Sequence, residues 1–152
     1  MVFDEGLIGD LLEIRARGKE DHRAGGEDLV VLGPHIFDII TWLMGGLPAW
    51  CFAAITHDGR PAVPADVREA TEQLGPVIGD SISALFGFAN GVTAAFDSVK
   101  NADKTDRYGL DLCGTRGVVS IRLASVPEVL WLDSPRWNSG AWQPLPDALS
   151  FE

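Results

Sequence analysis

The sequence predicts an α+β fold: an open, mostly antiparallel β-sheet of about five or six strands, with one main helix packed on one face. Two observations lead to this prediction. Runs that alternate between apolar and polar residues recur at 11–19, 81–99 and 108–123, and tight-turn residues interrupt them. Apolar residues at helical spacing form one clear stripe, between residues 36 and 44. Strands in hairpin order with a single main helix are typical of an antiparallel sheet covered on one side.

The first strand is predicted at LLEIRARGK, residues 11–19. Its side chains alternate, as expected for a strand with one solvated face. The charged face carries Glu13, Arg15, Arg17 and Lys19, and the other face carries Leu12, Ile14, Ala16 and Gly18. A polar loop, EDHRAGGED, follows the strand.

The main helix is predicted from Pro34 to the glycine pair Gly45-Gly46, because proline favours the first turn of a helix and glycine its end. Its apolar stripe is formed by Ile36, Phe37, Ile40, Leu43 and Met44. Leu29 and Leu32 extend the same stripe upstream, so an earlier start stays open. The Gly33-Pro34 pair argues against one continuous helix.

The rest of the chain is predicted to be rich in strands. A strand at 49–56 leads into the turn HDGR, and a proline- and glycine-rich insertion or lid with a short helix at 66–73 occupies 58–79. Two hairpins follow, the first across Asn90-Gly91, a pair that favours a type I′ turn. A last strand, EVLWLDS, precedes an extended tail. We therefore expect one domain, 1–152, with the tail at 130–152.

Composition excludes several classes of function. The 22 acidic and 12 basic residues give a net charge of −10, which disfavours nucleic acid and anionic membranes as partners. The longest apolar run falls short of the roughly 20 residues that a membrane span needs. The N-terminus, MVFDEGLIGD, does not resemble a signal peptide. Cys51 and Cys113 form no CxxC motif, so we expect two reduced, buried thiols and a cytoplasmic location.

Candidate chemistry concentrates at GGEDLVVLGPHIFD, residues 25–38. His35 lies in the first turn of the predicted helix, where the positive end of the helix dipole favours a neutral imidazole that can accept a proton. The alternative is a structural histidine. Asp38, three residues on, either orients His35 or bonds a neighbouring group.

Three further residues are candidate ligand contacts. Asp28 either caps the helix or binds a substrate hydroxyl. Arg17 and Lys19 either bind an anionic or polyhydroxylated ligand or belong to a solvated, ion-paired strand face. A metal site built from His22, His35 and neighbouring carboxylates matches no strong ligand spacing, and we predict no metal. The sequence also contains no P-loop, GxSxG or GxGxxG fingerprint.

The motif of a glycine-rich turn, then Gly-x-His and an aspartate three residues later, resembles the C-terminal domain of Gfo/Idh/MocA oxidoreductases. This is the glucose–fructose oxidoreductase and inositol dehydrogenase family. The matching residues are Gly25, Gly26, Gly33, His35 and Asp38. The resemblance continues through residues 66–98 and fades towards the tail. It implies an open, largely antiparallel sheet that binds a sugar or polyol, with a catalytic histidine at His35 and a subunit interface on the outer sheet face.

The sequence also departs from the pattern of this family at two motifs. The family's aspartate four residues before the histidine is Val31 here, and the Glu-Lys-Pro motif that carries its catalytic lysine is absent. We also expect the N-terminal Rossmann domain to be missing, so that the chain binds no cofactor alone although NAD(P) is implied for a full-length relative.

The predicted function is accordingly the substrate-binding and oligomerisation domain of an NAD(P)-dependent oxidoreductase acting on a sugar- or polyol-like alcohol. His35 is its catalytic residue, and Arg17, Lys19, Asp28 and Asp38 are its substrate contacts. The expected partners are a small sugar-like substrate and a second copy of the chain, joined through the sheet face. The alternative is a stand-alone, non-catalytic sheet module for ligand binding or dimeric assembly.

Overall fold

The computed structural model describes residues 6–100, 107–123, 125–136, 138 and 140–145. Two helices and eleven strands occur in the described residues. The helices are α1 Gly26–Val31 and α2 Gly33–Met44. The strands are β1 Leu11–Arg17, β2 Trp50–His57, β3 Arg60–Pro61, β4 Arg68–Glu69, β5 Pro76–Val77, β6 Ser81–Gly87, β7 Thr93–Val99, β8 Gly109–Gly114, β9 Val118–Arg122, β10 Glu128–Leu132 and β11 Gln143–Pro144.

Nine of these strands form one sheet, in the order β11-β10-β9-β8-β1-β7-β6-β2-β3. All neighbouring pairs in this sheet are antiparallel except β1 and β7, which run parallel. The predicted α+β class and the open, mostly antiparallel sheet are confirmed. The predicted count of five or six strands was too low, because two-residue strands such as β3 and β11 are too short to show any alternation.

The helices cover one face of the sheet, which we call the helix face. Ile36 and Ile40 of α2 are buried against residues of β1, β7 and β8 that share this face. Phe37 adds ring contacts with Phe86 and Phe96, at centroid distances of 5.3 and 5.1 Å. The core contributed by the strands includes Ile14, Ala16, Ile82, Ala94, Leu110, Leu112 and Val119.

The opposite face, which we call the open face, carries the alternate residues of the same strands. Glu13, Arg15 and Arg17 of β1 lie on it, in register with residues of β7 and β8. The alternation predicted for the first strand is thus confirmed for these residues. Leu12, predicted on the apolar face, is exposed because a bulge shifts the register between Leu11 and Glu13.

Several local predictions can be compared with the structure. The main helix ends at Gly45, which adopts a left-handed conformation (φ 67°), as its sequence predicted. The residues upstream form the separate helix α1, and the two helices break at Leu32. The hairpin β6–β7 is present, but Gly91 has a positive φ and Asn90 does not, so its turn is not type I′.

Two other local predictions were wrong. The short helix predicted at 66–73 is instead a 3₁₀ turn, Pro64–Asp66, followed by the β4–β5 ribbon. Cys51 is exposed, although Cys113 is buried as expected. The predicted last strand, EVLWLDS, is present as β10, and the final residues of the predicted tail, 146–152, lie outside the described residues.

Candidate functional site

His35 lies on the side of α2 that faces away from the sheet. Ile36 and Ile40 point into the core, so the helical period leaves His35, Asp38 and Trp42 exposed at positions i, i+3 and i+7. We call these three residues the α2 stripe. An imidazole, a carboxylate and an indole side by side can bond a hydroxyl group and cover an apolar ring face.

The position of the α2 stripe is fixed where the two helices meet. Leu32 ends α1 and precedes α2, and its carbonyl oxygen accepts the backbone N–H of His35 at 3.2 Å. The same oxygen accepts the hydroxyl of Tyr108, a residue of the segment before β8, at 3.2 Å. Burial, together with the charge of Asp28, raises the pKa of Tyr108 above its usual value. The phenol therefore stays a hydrogen-bond donor at neutral pH.

The Gly25-Gly26 pair allows α1 to approach the strand region closely. Gly25 has φ 80° and lies against the backbone of Asp80, and a Cβ added at Gly26 would clash with the carbonyl oxygen of Ile78. Gly25 also donates its N–H to Ser98 Oγ at 3.0 Å. A larger residue at either position would push α1, and with it the helix junction, away from the sheet.

Asp28 is fully buried below this junction. Its Oδ2 accepts the Ser98 hydroxyl at 2.6 Å and the backbone N–H of Glu20 at 3.1 Å. Glu20 is itself buried, and its Oε2 accepts a charge-assisted bond from Arg107 Nε at 3.0 Å. The sequence offered two roles for Asp28, a helix cap and a substrate contact. Its burial and its bonds within the chain argue for a third, structural one.

Glu27 anchors the β4–β5 ribbon to α1. Its Oε1 accepts the backbone N–H of Thr71 at 2.6 Å, and its Oε2 pairs with Arg68 Nη1 at 2.6 Å. Burial alone would raise the pKa of Glu27, but the bonds from Thr71 and Arg68 outweigh it and hold the pKa below its usual value. The insertion predicted as a lid is thus tied down beside α1.

The structure separates Arg17 from His35. Arg17 lies on the open face, 3.6 Å from Asp97, whereas His35 lies beyond the helix layer on the other side of the sheet. The structure therefore places these two predicted contacts on opposite sides of the sheet. Lys19 follows β1 and lies 4.0 Å from Asp21.

Sequence reasoning missed several residues that shape the α2 stripe. Trp42 could have been found, because it continues the spacing of His35 and Asp38 by one helical turn. Tyr108 and Ser98 could not, since their contacts with the helix junction span some 70 residues of chain. Val31, which stands where the family places an aspartate, is the last residue of α1 and is half-buried.

Among the described residues, no group of three or more His, Cys, Asp or Glu side chains is placed to hold a metal ion. Within the same residues, no helix has the length and apolarity required to cross a membrane.

Comparison with known proteins agrees with the fold and with the predicted family. Residues 2–120 match the model of the GFO/IDH/MocA C-terminal domain. The chain belongs to this family. No curated protein matches the sequence.

Solved structures with the same fold include sugar and polyol oxidoreductases. A levoglucosan dehydrogenase in complex with NADH and L-sorbose has 17% identity and a TM-score of 0.64, with 93% of this chain and 42% of that chain covered. An inositol dehydrogenase homolog from Azotobacter vinelandii, complexed with NADH and myo-inositol, has 10% identity and a TM-score of 0.65, with coverages of 97% and 38%.

A third neighbour is an aldose-aldose oxidoreductase from Caulobacter crescentus complexed with glycerol. It has 18% identity and a TM-score of 0.62, with 98% of this chain and 43% of that chain covered. The chain thus spans about two fifths of the length of the enzymes that it resembles. At these identities the likeness establishes the shared fold.

Proposed function

We propose that this chain is the substrate-binding domain of an NAD(P)-dependent oxidoreductase that acts on a sugar- or polyol-like alcohol. The observation that carries the proposal is the α2 stripe, in which the histidine of the family motif is exposed beside Asp38 and Trp42. The membership in the GFO/IDH/MocA family supports it, since the similar enzymes include a levoglucosan dehydrogenase and an inositol dehydrogenase homolog.

In this proposal His35 bonds the reacting hydroxyl of the substrate and accepts its proton. A base within hydrogen-bond distance of a hydroxyl lowers the barrier to its oxidation by taking the proton as the carbonyl forms. Asp38 and Trp42 position the substrate, the first by bonding a neighbouring hydroxyl and the second by covering a ring face. The helix junction at Leu32 keeps His35 in place.

The described residues contain no binding site of the usual kind for NAD(P), the dinucleotide that would accept the hydride. Among them, no glycine-rich turn joins a parallel strand to a helix, which is the arrangement that holds a dinucleotide. NAD(P) would therefore have to be held by another domain, and we expect this chain alone to be inactive. Titration of the chain with NAD(H) and NADP(H) tests this point, and saturable binding at low micromolar concentration would contradict it.

The substrate role of the α2 stripe is tested by NMR of the three histidines in the full chain. Addition of myo-inositol or a related polyol should shift the imidazole resonances of His35 and the indole resonance of Trp42. His22 provides the matched control, because it is also an exposed histidine but lies in the loop after β1. Shifts that are equal at both histidines, or absent at His35 up to high millimolar polyol, would overturn the assignment.

The oligomerisation role predicted from the family is a separate proposal, and it concerns the open face. Three large side chains on neighbouring strands are exposed there: Trp50 at 49%, Phe52 at 71% and Leu85 at 37%. Trp50 packs over Gly87, and Phe52 pairs with Leu85. An apolar patch of this kind is typical of a surface that binds another protein, and we propose a second copy of the chain.

The same patch favours the alternative function, a non-catalytic module for ligand binding or dimeric assembly. Light scattering of the wild type and of a Phe52→Ser variant tests the assembly. A dimer that the substitution dissociates would support it, and a strict monomer at high concentration would contradict it. The two functions are then distinguished by the histidine NMR experiment, since assembly through Phe52 makes no demand on His35.

A further inference from the structure

A cleft of about 450 Å³ lies on the open face, at the ends of β1 and β9 and the start of β8. The proposed function does not use it, because the sheet separates it from the α2 stripe. Its polar and aromatic lining comprises Arg17, Arg107, Tyr108, Asp111, Ser120, Arg122 and Trp142. A volume of this size is within the range of small-molecule sites.

The floor of the cleft is a glycine between two arginines. Gly109 of β8 pairs with Arg17 of β1 on one side and with Arg122 of β9 on the other. Since neighbouring strands lie about 4.8 Å apart, the two arginine backbones are separated by roughly 10 Å with no side chain between them. A Cβ at Gly109 would clash with the carbonyl oxygen of Ile121, and its φ of 152° also disfavours other residues.

The lining of the cleft is rich in guanidinium groups. Arg107 joins Arg17 and Arg122 there, and Asp111 is the one carboxylate among the described lining residues. Arg107 donates its Nε–H to buried Glu20 at 3.0 Å, so its charge is compensated within the chain. Trp142 adds an aromatic wall to the cleft.

Each arginine already has a carboxylate partner, but these pairs leave room for a ligand. Arg17 lies 3.6 Å from Asp97, and Arg122 Nη1 lies 2.8 Å from Glu128. Both guanidinium groups are partly exposed, and a surface ion pair contributes little free energy. Because a guanidinium has five N–H donors, it can bond a second anion while keeping its first partner.

We propose that this cleft binds a small organic oxyanion, with carboxylate or phosphate groups held by Arg17 and Arg122 and an organic body that lies over Gly109 against Trp142. Arginine binds planar oxyanions in a bidentate manner, and two arginines across an open floor select a ligand with charges at both ends. Asp111, two residues along β8 from Gly109, pairs with Arg15 on one side and with Ser120 on the other. Its negative charge repels an anion and so limits the number of negative charges that the cleft accepts.

Isothermal titration of the full chain tests the proposal. The probes are citrate as a polycarboxylate, glucose 6-phosphate as a phosphate ester, inorganic phosphate, and glucose as the neutral comparator, all at one ionic strength. We expect saturable binding of citrate or of glucose 6-phosphate, and none of glucose. The organic anion that binds with the higher affinity identifies whether the cleft prefers a carboxylate or a phosphate group.

Three variants locate the site. Arg17→Gln and Arg122→Gln should each weaken binding about tenfold, as expected for the loss of a charge-assisted bond. Asp111→Asn should strengthen it several-fold, because it removes a like charge. Arg15→Gln is the matched control, since it lies on the same strand and face but does not line the cleft.

Several results would overturn the proposal. These are the absence of saturable binding by all three anions, equal binding of glucose, an equal loss in Arg15→Gln, or weaker binding in Asp111→Asn. If the anions do not bind and Arg17→Gln instead dissociates a dimer in light scattering, the occupant of the cleft is a second copy of the chain. Circular dichroism of each variant ensures that a loss of binding is not a loss of fold.

Discussion

The hydroxyl of Tyr108 donates a hydrogen bond of 3.2 Å to the carbonyl oxygen of Leu32, the residue at which α1 ends and before which α2 begins. One phenol from the segment before β8 thus holds the point where the chain turns from one helix into the next. His35 is three residues further on, and its backbone N–H bonds the same oxygen. The orientation of the α2 stripe therefore depends on a side chain outside both helices.

Replacing Tyr108 by Phe removes this bond and keeps the ring. We expect a loss of about 1 kcal/mol in the free energy of unfolding, the usual net contribution of one hydrogen bond. The NMR resonances of His35 should shift or broaden, because the helix junction loses a partner. Thr41→Val is the control: it removes an exposed hydroxyl bond to the Asp38 carbonyl oxygen in the same helix. Unchanged His35 resonances in Tyr108→Phe would contradict the positioning role.

Glu27→Ala should destabilise the protein by about 2 kcal/mol or more, because it leaves the N–H and hydroxyl of Thr71 without their acceptor. The exposure of Arg68, 41% for its side chain, keeps the expected loss below that for a fully buried ion pair. Amide exchange in the β4–β5 ribbon should rise at the same time. Glu72→Ala, which removes an exposed partner of Arg23, is the control and should cost less than 1 kcal/mol. Equal costs for the two variants would contradict the anchoring role of Glu27.

The loop after β1 should make stability depend on acid pH. Side-chain hydrogen bonds from Arg23, Nε at 3.0 Å among them, lower the pKa of Asp21 from 3.8 to about 2, against the opposing effect of burial. A carboxyl whose pKa is lower in the folded state stabilises the fold above its unfolded pKa, and this contribution is lost as the pH falls from 3.8 towards 2.

The contribution of Asp21 corresponds to about 2 kcal/mol at neutral pH. Urea unfolding of the wild type and of Asp21→Asn should therefore differ by about this amount near neutrality, and the difference should shrink as the pH approaches 2. A difference that stays constant over this range would show that the Asp21–Arg23 contact does not titrate as described.

The two cysteines should react at different rates. Cys51 is exposed, whereas Cys113 is buried, and burial raises the pKa of its thiol to about 11. Since the thiolate is the reactive form, a disulfide reagent at mildly alkaline pH should modify one thiol per native chain quickly. Both should react in urea. Fast modification of two thiols in the native protein would contradict this selectivity. In Cys51→Ser the fast reaction should disappear, which would assign it to Cys51.

Local patterns predicted those elements whose signals are themselves local. The proline near the start of α2 and Gly45 at its end marked the helix, and alternation together with turn residues marked the hairpins. The β4–β5 ribbon was missed for a physical reason. Residues 66–73 carry a weak helical pattern, but the bonds of Arg68 and Thr71 with buried Glu27 fix an extended conformation instead.

The candidate site was predictable only in part. His35 and Asp38 share a helix face because their spacing requires it. Arg17 was placed correctly on a solvated strand face by alternation. Its grouping with His35 as a substrate contact does not follow from that face, since the helices pack on the other side of β1. Packing between segments that are distant in sequence decides which face of the sheet the helix covers. A short sequence pattern carries no information about that packing.

The position of β1 has a consequence for how the chain folds. This strand precedes the other strands of the sheet in sequence, yet it lies between β7 and β8, and Ile14 pairs with Ala94 and Leu112. Its partners are about 80 and 100 residues away along the chain. During synthesis β1 has no partner until β7 has left the ribosome, and its other edge stays open until β8 follows. Pairing over such distances is slow, so we expect a slow-folding domain whose early strand is exposed to chaperones and to aggregation.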